Sequence, residues 1–215
     1  ATNTAERIEA YEAAVLADPD CEIAHFQLGK LYKIQRDYAA AVGSLERAMA
    51  TATTGNGTRA EYAVELGICA ALLGEQDRAL RSWLDAIGLD PTLLRPYMNI
   101  AHTYEETGDL QQAELFFRKA LLLAPNDSRL YYNLARIYAR RNEWHKALAQ
   151  YQLQLIMDQN DPWCHSNIAT CYLQLDDEPQ ARRHLEQTVA LDPEGEAGQY
   201  AQLILSGLGE EPGPA

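Results

Sequence analysis

Three asparagines, Asn99, Asn133 and Asn167, stand 34 residues apart, and the residues around them repeat at the same interval. Tyr104, Tyr138 and Tyr172 follow them, then Ala113, Ala147 and Ala181, then Phe117, Tyr151 and Leu185. One short unit has been copied along the chain, and a period of this length belongs to a helix–turn–helix array. Such an array has no single core. Each copy buries its apolar side against the next, so the product is read as a binding surface before it is read as an enzyme.

The clearest unit runs from Leu94 to about Asp127. Tyr97, Ile100, Ala101 and Tyr104 fall on one face of a first helix. Gly108-Asp109 supplies the break, because glycine tolerates a left-handed helix end. A second helix carries Ala113, Phe117 and Ala120, and Pro125 marks its end. The small alanines let the paired helices approach, and the large rings fill the space between them.

This series resembles the tetratricopeptide repeat family, and the match extends over nearly the whole chain. Leu28-Gly29, Tyr32, Ala41, Leu45 and Ala48 follow it in the first full unit, and Leu66-Gly67, Gly74, Ala79, Trp83, Ala86 and Pro91 in the second. Tyr131, Leu134-Ala135, Tyr138, Ala147 and Tyr151 carry the fourth, and Ile168-Ala169, Tyr172, Ala181, Leu185 and Pro193 the fifth. The resemblance implies an all-α, right-handed α-solenoid of about five helix-hairpin repeats with N- and C-terminal capping helices. The expected organisation is one domain over 1–206: a capping helix at 4–17, repeats near 22–55, 60–93, 94–127, 128–161 and 162–195, and a capping helix at 196–206, followed by a disordered tail at 207–215.

There are departures. Four extra residues around Gly55-Asn56-Gly57 predict a longer, mobile loop before the second repeat. Asn142 and Asp176 replace the inter-helix glycine, and both types tolerate the same backbone geometry. Gln154 and Thr188 stand where the unit ends on alanine.

Composition narrows the function. The 18 Lys and Arg against 31 Asp and Glu give a net charge of -13, which disfavours nucleic acid and anionic lipid as partners. No apolar run approaches the ~18 residues that a membrane helix needs. The chain starts at Ala1 without methionine, which leaves room for a removed leader; the default expectation is the cytoplasm. Four cysteines show no CxxC pair. Cys164, His165, Cys171 and His184 lie in one region, but their spacing is not that of a zinc site. No nucleophile–base–carboxylate set can be assembled from the five histidines, so no catalysis and no cofactor are expected.

The family resemblance implies that first helices line a concave groove, where residues one repeat apart become neighbours. Asn99, Asn133 and Asn167 then form a carboxamide ladder able to bond an extended peptide backbone. Met98, Tyr132 and Trp163 would add apolar contact, and His102 and Thr170 lie in the adjoining row. Arg129, Arg136 and Arg140 cluster on one helix and suit a carboxylate or acidic segment; Glu106 is expected to pair with Arg140, leaving Arg129 and Arg136 free. Some members of the family grip a chaperone's C-terminal carboxylate with a fixed set of Lys, Asn and Arg. The corresponding positions, Phe26, Lys30, Glu65, Arg95 and Asn99, or Val64, Ile68, Asn99, Arg129 and Asn133, do not carry that set. The expected function is a non-enzymatic scaffold holding a peptide or short helix of another protein. The alternatives are a self-associating structural scaffold or a module of a larger protein whose catalytic part is absent.

Overall fold

The computed structural model describes residues 3–208. They form twelve α-helices: α1 Thr4–Ala17, α2 Glu22–Ile34, α3 Tyr38–Thr51, α4 Asn56–Leu72, α5 Gln76–Leu89, α6 Leu94–Thr107, α7 Leu110–Leu123, α8 Ser128–Arg140, α9 Trp144–Met157, α10 Pro162–Gln174, α11 Glu178–Leu191 and α12 Glu196–Gly207. No strand occurs among the described residues. The expected tail lies mostly outside them. The helices fall into two compact units, Ala1–Asp109 and Leu110–Ala215, and the boundary passes between the two helices of the repeat at 94–127.

In the first unit, α2 pairs with α3 and α4 with α5, while α1 covers α2 and α6 lies against α5. In the second, α8 pairs with α9 and α10 with α11, with α7 against α8 and α12 against α11. Hairpins turn through a left-handed residue. Gly74 and Gly108 occupy that region, and so do Asn142 (φ 57°), Asp176 (φ 58°) and Arg36 (φ 63°). The short polar chains of Asn142 and Asp176 fit the position their sequence suggests.

Close approach within a hairpin depends on small residues facing large ones. A Cβ added to Gly67 of α4 would lie 2.3 Å from the Trp83 indole nitrogen, and one on Gly29 of α2 would lie 2.5 Å from Leu45 Cγ. The Trp83 indole also donates to the Val64 carbonyl at 3.2 Å, locking α5 onto α4. In the second unit Ala169, Ala181, Leu185 and Ala201 form the equivalent core, all essentially inaccessible.

A second device repeats locally. A ring near the start of the first helix bonds to the carbonyl six residues before it: His25 Nε2 to Pro19 at 2.9 Å, Tyr97 OH to Pro91 at 3.0 Å, Tyr131 OH to Pro125 at 2.8 Å and His165 Nε2 to Gln159 at 3.3 Å. The two polar replacements of alanine also tie turns down. Gln154 Nε2 donates to Asp161, the N-cap of α10, at 2.8 Å, and the Thr188 hydroxyl reaches the Pro162 carbonyl at 3.3 Å.

The expected mobile loop before the second repeat is corrected. Gly55 is an N-cap, and Asn56 and Gly57 open α4, which is 17 residues long against 13 for α2. The four inserted residues lengthen α4 by about one turn at its N-terminus, which leaves the later side chains on the same faces. The short segment before it is anchored by buried Glu22, which accepts the Thr53 amide at 2.5 Å.

Gly67→Ala should destabilise the first unit by about 1–3 kcal/mol, the usual cost of overpacking a filled site. Urea denaturation measures it; an unchanged midpoint would show that Trp83 moves aside freely.

Candidate partner-binding face

In the first unit the leading helices α2, α4 and α6 lie side by side. Glu65 of α4 joins all three: one carboxylate oxygen accepts Lys33 Nζ of α2 at 2.5 Å and the other accepts Arg95 Nη2 of α6 at 3.0 Å. The Glu65 side chain is only 10% exposed, while that of Arg95 is 63% exposed. Burial would raise the Glu65 carboxyl's pKa, but the bonds and charges of Lys33 and Arg95 outweigh it and hold the group below its ordinary value. It therefore remains a carboxylate at neutral pH.

Beside this network is a cavity of about 280 Å³. Phe26, Val64, Leu93 and Leu94 supply its apolar lining, and Lys30, Glu61, Glu65 and Arg95 its charges. The Phe26 ring leans on Tyr62 with centroids 4.5 Å apart, and Lys30 Nζ lies 5.2 Å from its centroid. Sequence spacing weighed several of these positions only as a carboxylate clamp. It missed the cavity, whose signal was an acidic residue flanked by cations on the preceding and following first helices.

Met98, Asn99 and His102 share α6 with Arg95. The Asn99 amide nitrogen is shielded and makes no hydrogen bond. Met98 and Asn99 are half-buried, and His102 Nδ1 lies 3.6 Å from a Glu105 carboxylate oxygen.

The second unit carries the remaining expected residues on α8 and α10. Asn133 is only 6% exposed, whereas Asn167 is half-buried. Among the described residues none of the three carboxamides bonds to another. The expectation that Arg129 and Arg136 are free is corrected. Arg129 forks onto Asp127 through Nε at 2.9 Å and Nη2 at 2.6 Å. Asp127 is the N-cap of α8 and also accepts the Arg129 amide, so the guanidinium two residues on falls within reach. Arg136 lies over the Tyr132 ring, 5.5 Å from its centroid. Tyr132 in turn leans on Tyr151, with centroids 6.2 Å apart. Arg140 is exposed. Trp163 is 46% exposed beside the Tyr200 ring of α12, and the Thr170 hydroxyl is spent on the Ser166 carbonyl.

Of the four residues that invite comparison with a zinc site, three make hydrogen bonds and Cys171 is buried. Cys164 Sγ donates to the Tyr151 carbonyl at 3.3 Å, and burial pushes its thiol up to about 12 and that of Cys171 to about 11. His165 and His184 meet through their Nδ1 atoms at 3.0 Å. With His165 Nε2–H on the Gln159 carbonyl, its Nδ1 is the acceptor and His184 Nδ1–H is the donor. Burial, followed by the nearness of His165, lowers the His184 pKa.

Sequence profiles described as tetratricopeptide repeat match residues 8–57, 94–127, 116–149 and 162–187. No curated protein sequence matches the chain significantly. Among solved structures, the C-terminal part of a TPR repeat-containing protein from Cytophaga hutchinsonii is 18% identical, with a TM-score of 0.83 over 95% of this chain and 80% of that one. YrrB, described as a TPR protein with an unusual peptide-binding site, is 14% identical at TM-score 0.72 over 91% of this chain and 99% of its own. MamA is 16% identical at TM-score 0.71 over 80% and 92%. At these identities the likeness establishes the fold alone, the α-solenoid class of helical hairpins.

A group whose folded pKa is depressed contributes stability that is present above its unfolded value and lost as pH falls. Stability should therefore decline below pH 6.5, the ordinary histidine value, as unfolding lets His184 take up its proton. His184→Gln removes the ring whose pKa burial lowers. Melting temperature followed from pH 7 to pH 5 should fall less steeply in this variant than in wild type. An equal slope would exclude His184 as a source of the pH dependence.

Proposed function

The chain belongs to the tetratricopeptide repeat family, and from that premise we propose that it is a non-enzymatic scaffold holding an extended peptide or short helix of a partner protein on the face of its leading helices. The observation that carries this reading is the half-apolar, charge-rimmed cavity between α2, α4 and α6. At about 280 Å³ it falls just under the ~300–1,000 Å³ of small-molecule pockets and suits one or two side chains of a polypeptide. In the second unit Trp163, Tyr132 and Arg136 offer aromatic and cationic surface of the kind that dominates protein recognition. Met98, Asn99 and His102 belong to the proposal as further contacts on the leading helices of the first unit, and Arg129, Asn133, Arg140, Asn167 and Thr170 as further contacts on those of the second. Because Asn133 is buried and the Asn99 amide nitrogen is closed off, side-chain anchoring leads and backbone bonding follows. The likeness to YrrB, whose structure is described as having a peptide-binding site, fits this mode.

Absence of catalysis is supported by the state of the reactive groups. The Cys164 and Cys171 thiols are held protonated by burial, and the His165–His184 pair is spent on itself and on backbone. Neither arrangement offers a poised nucleophile or base.

Affinity capture from the native source, read by mass spectrometry, tests the face. The double variant Lys30→Ala/Trp163→Ala should lose the wild-type partners about tenfold or more, equivalent to ~1.4 kcal/mol. A trailing-helix control, Leu122→Ser/Ile156→Ser, alters residues 84% and 70% exposed and should retain them. The reverse pattern would move binding to the trailing helices.

A further inference from the structure

Resting on the reading that the cavity beside α4 receives a partner side chain, we propose that Glu65 sets the charge of the segment admitted there, selecting an apolar side chain flanked by basic residues and excluding one flanked by acidic residues. Three cations reach this cavity or its border: Lys30 and Lys33 from α2 and Arg95 from α6. Two of them end on the one carboxylate, which is nearly enclosed and has both oxygens occupied. Lys33 is 26% exposed and ends on its partner. Glu65 thus takes up Lys33 and one of the Arg95 N–H donors that an incoming carboxylate would otherwise use.

The remaining charges on the rim are Lys30 and Glu61, opposite in sign, and neither forms an ion pair among the described residues. Both are exposed, Glu61 on α4 and Lys30 above the Phe26 ring. They cancel each other; Lys33, Arg95 and Glu65 together leave one positive charge, which is set against the field of the whole unit. The first 109 residues hold nine Lys and Arg against seventeen Asp and Glu, so that field is negative and attracts basic segments. The apolar floor of Phe26, Val64, Leu93 and Leu94 supplies the anchoring energy irrespective of charge. Glu65 is accordingly a positioning residue for charge. Neutralising it releases Lys33 and Arg95 beside Lys30 and makes the cavity a cluster of three donors suited to carboxylates.

The test uses two acetylated, amidated peptides, Gly-Lys-Leu-Lys-Gly and Gly-Glu-Leu-Glu-Gly, titrated into the full chain with methyl NMR of Val64, Leu93 and Leu94 as readout. Wild type should bind the lysine peptide more tightly. In Glu65→Gln the glutamate peptide should gain about tenfold in Kd relative to the lysine peptide, and that gain should disappear at high salt. A second variant, Lys33→Met/Arg95→Met, removes two of the three cations and should shift preference further toward lysine. It reads the same quantity with opposite sign should Glu65→Gln fail to fold. Binding with an unchanged preference in the variants overturns the role of Glu65 while leaving the docking reading intact. No methyl shifts with either peptide overturn both.

Discussion

The structure depends on how closely two helices of one hairpin can approach. At Gly67 there is no room for a single additional carbon, because the Trp83 ring occupies it and its nitrogen bonds back to α4. Gly29 stands in the same relation to Leu45. This one-sided fit, small residue on the first helix and large on the second, places the trailing helix behind the leading one. It leaves the opposite side of α2, α4 and α6 to face each other's edges, where Glu65 can reach cations on both neighbours. Packing within hairpins thereby creates the surface between them.

Most of the fold was legible because repetition turns weak local signals into a strong one. A tyrosine or an alanine decides nothing alone; the same residue at the same step in successive copies does. The left-handed turns at Asn142 and Asp176 could be read because both residue types tolerate that conformation. Arg36 adopts it as well, with no such chemistry to announce it. The four-residue insertion was misread as a loop because Gly-Asn-Gly is turn-like in composition. Helical periodicity overrode composition there, since lengthening α4 by about one turn conserves side-chain register. Gln154 and Thr188 look like tolerated departures in the sequence and instead bond to the start of α10, Gln154 to its N-cap Asp161 and Thr188 to the Pro162 carbonyl.

The candidate site was less legible, for a physical reason. Spacing along a helix states which residues share a face, not which charge finds which partner. Arg129 is paired because Asp127, the helix cap two residues before it, also accepts its guanidinium. Asn133 shares its repeat position with Asn167, yet one is buried and the other half-exposed. The Glu65 network needs residues from three helices separated by about thirty positions each, so no local pattern contains it.

Hydroxyl-radical footprinting of the protein alone and with a captured partner tests the central claim most directly, because it reads side-chain accessibility residue by residue. The account predicts protection of Phe26, Met98, Tyr132 and Trp163 on the leading helices, with Leu122, Ile156 and Met157 on the trailing helices labelled as before. Protection of the trailing set with the leading set unchanged would contradict it.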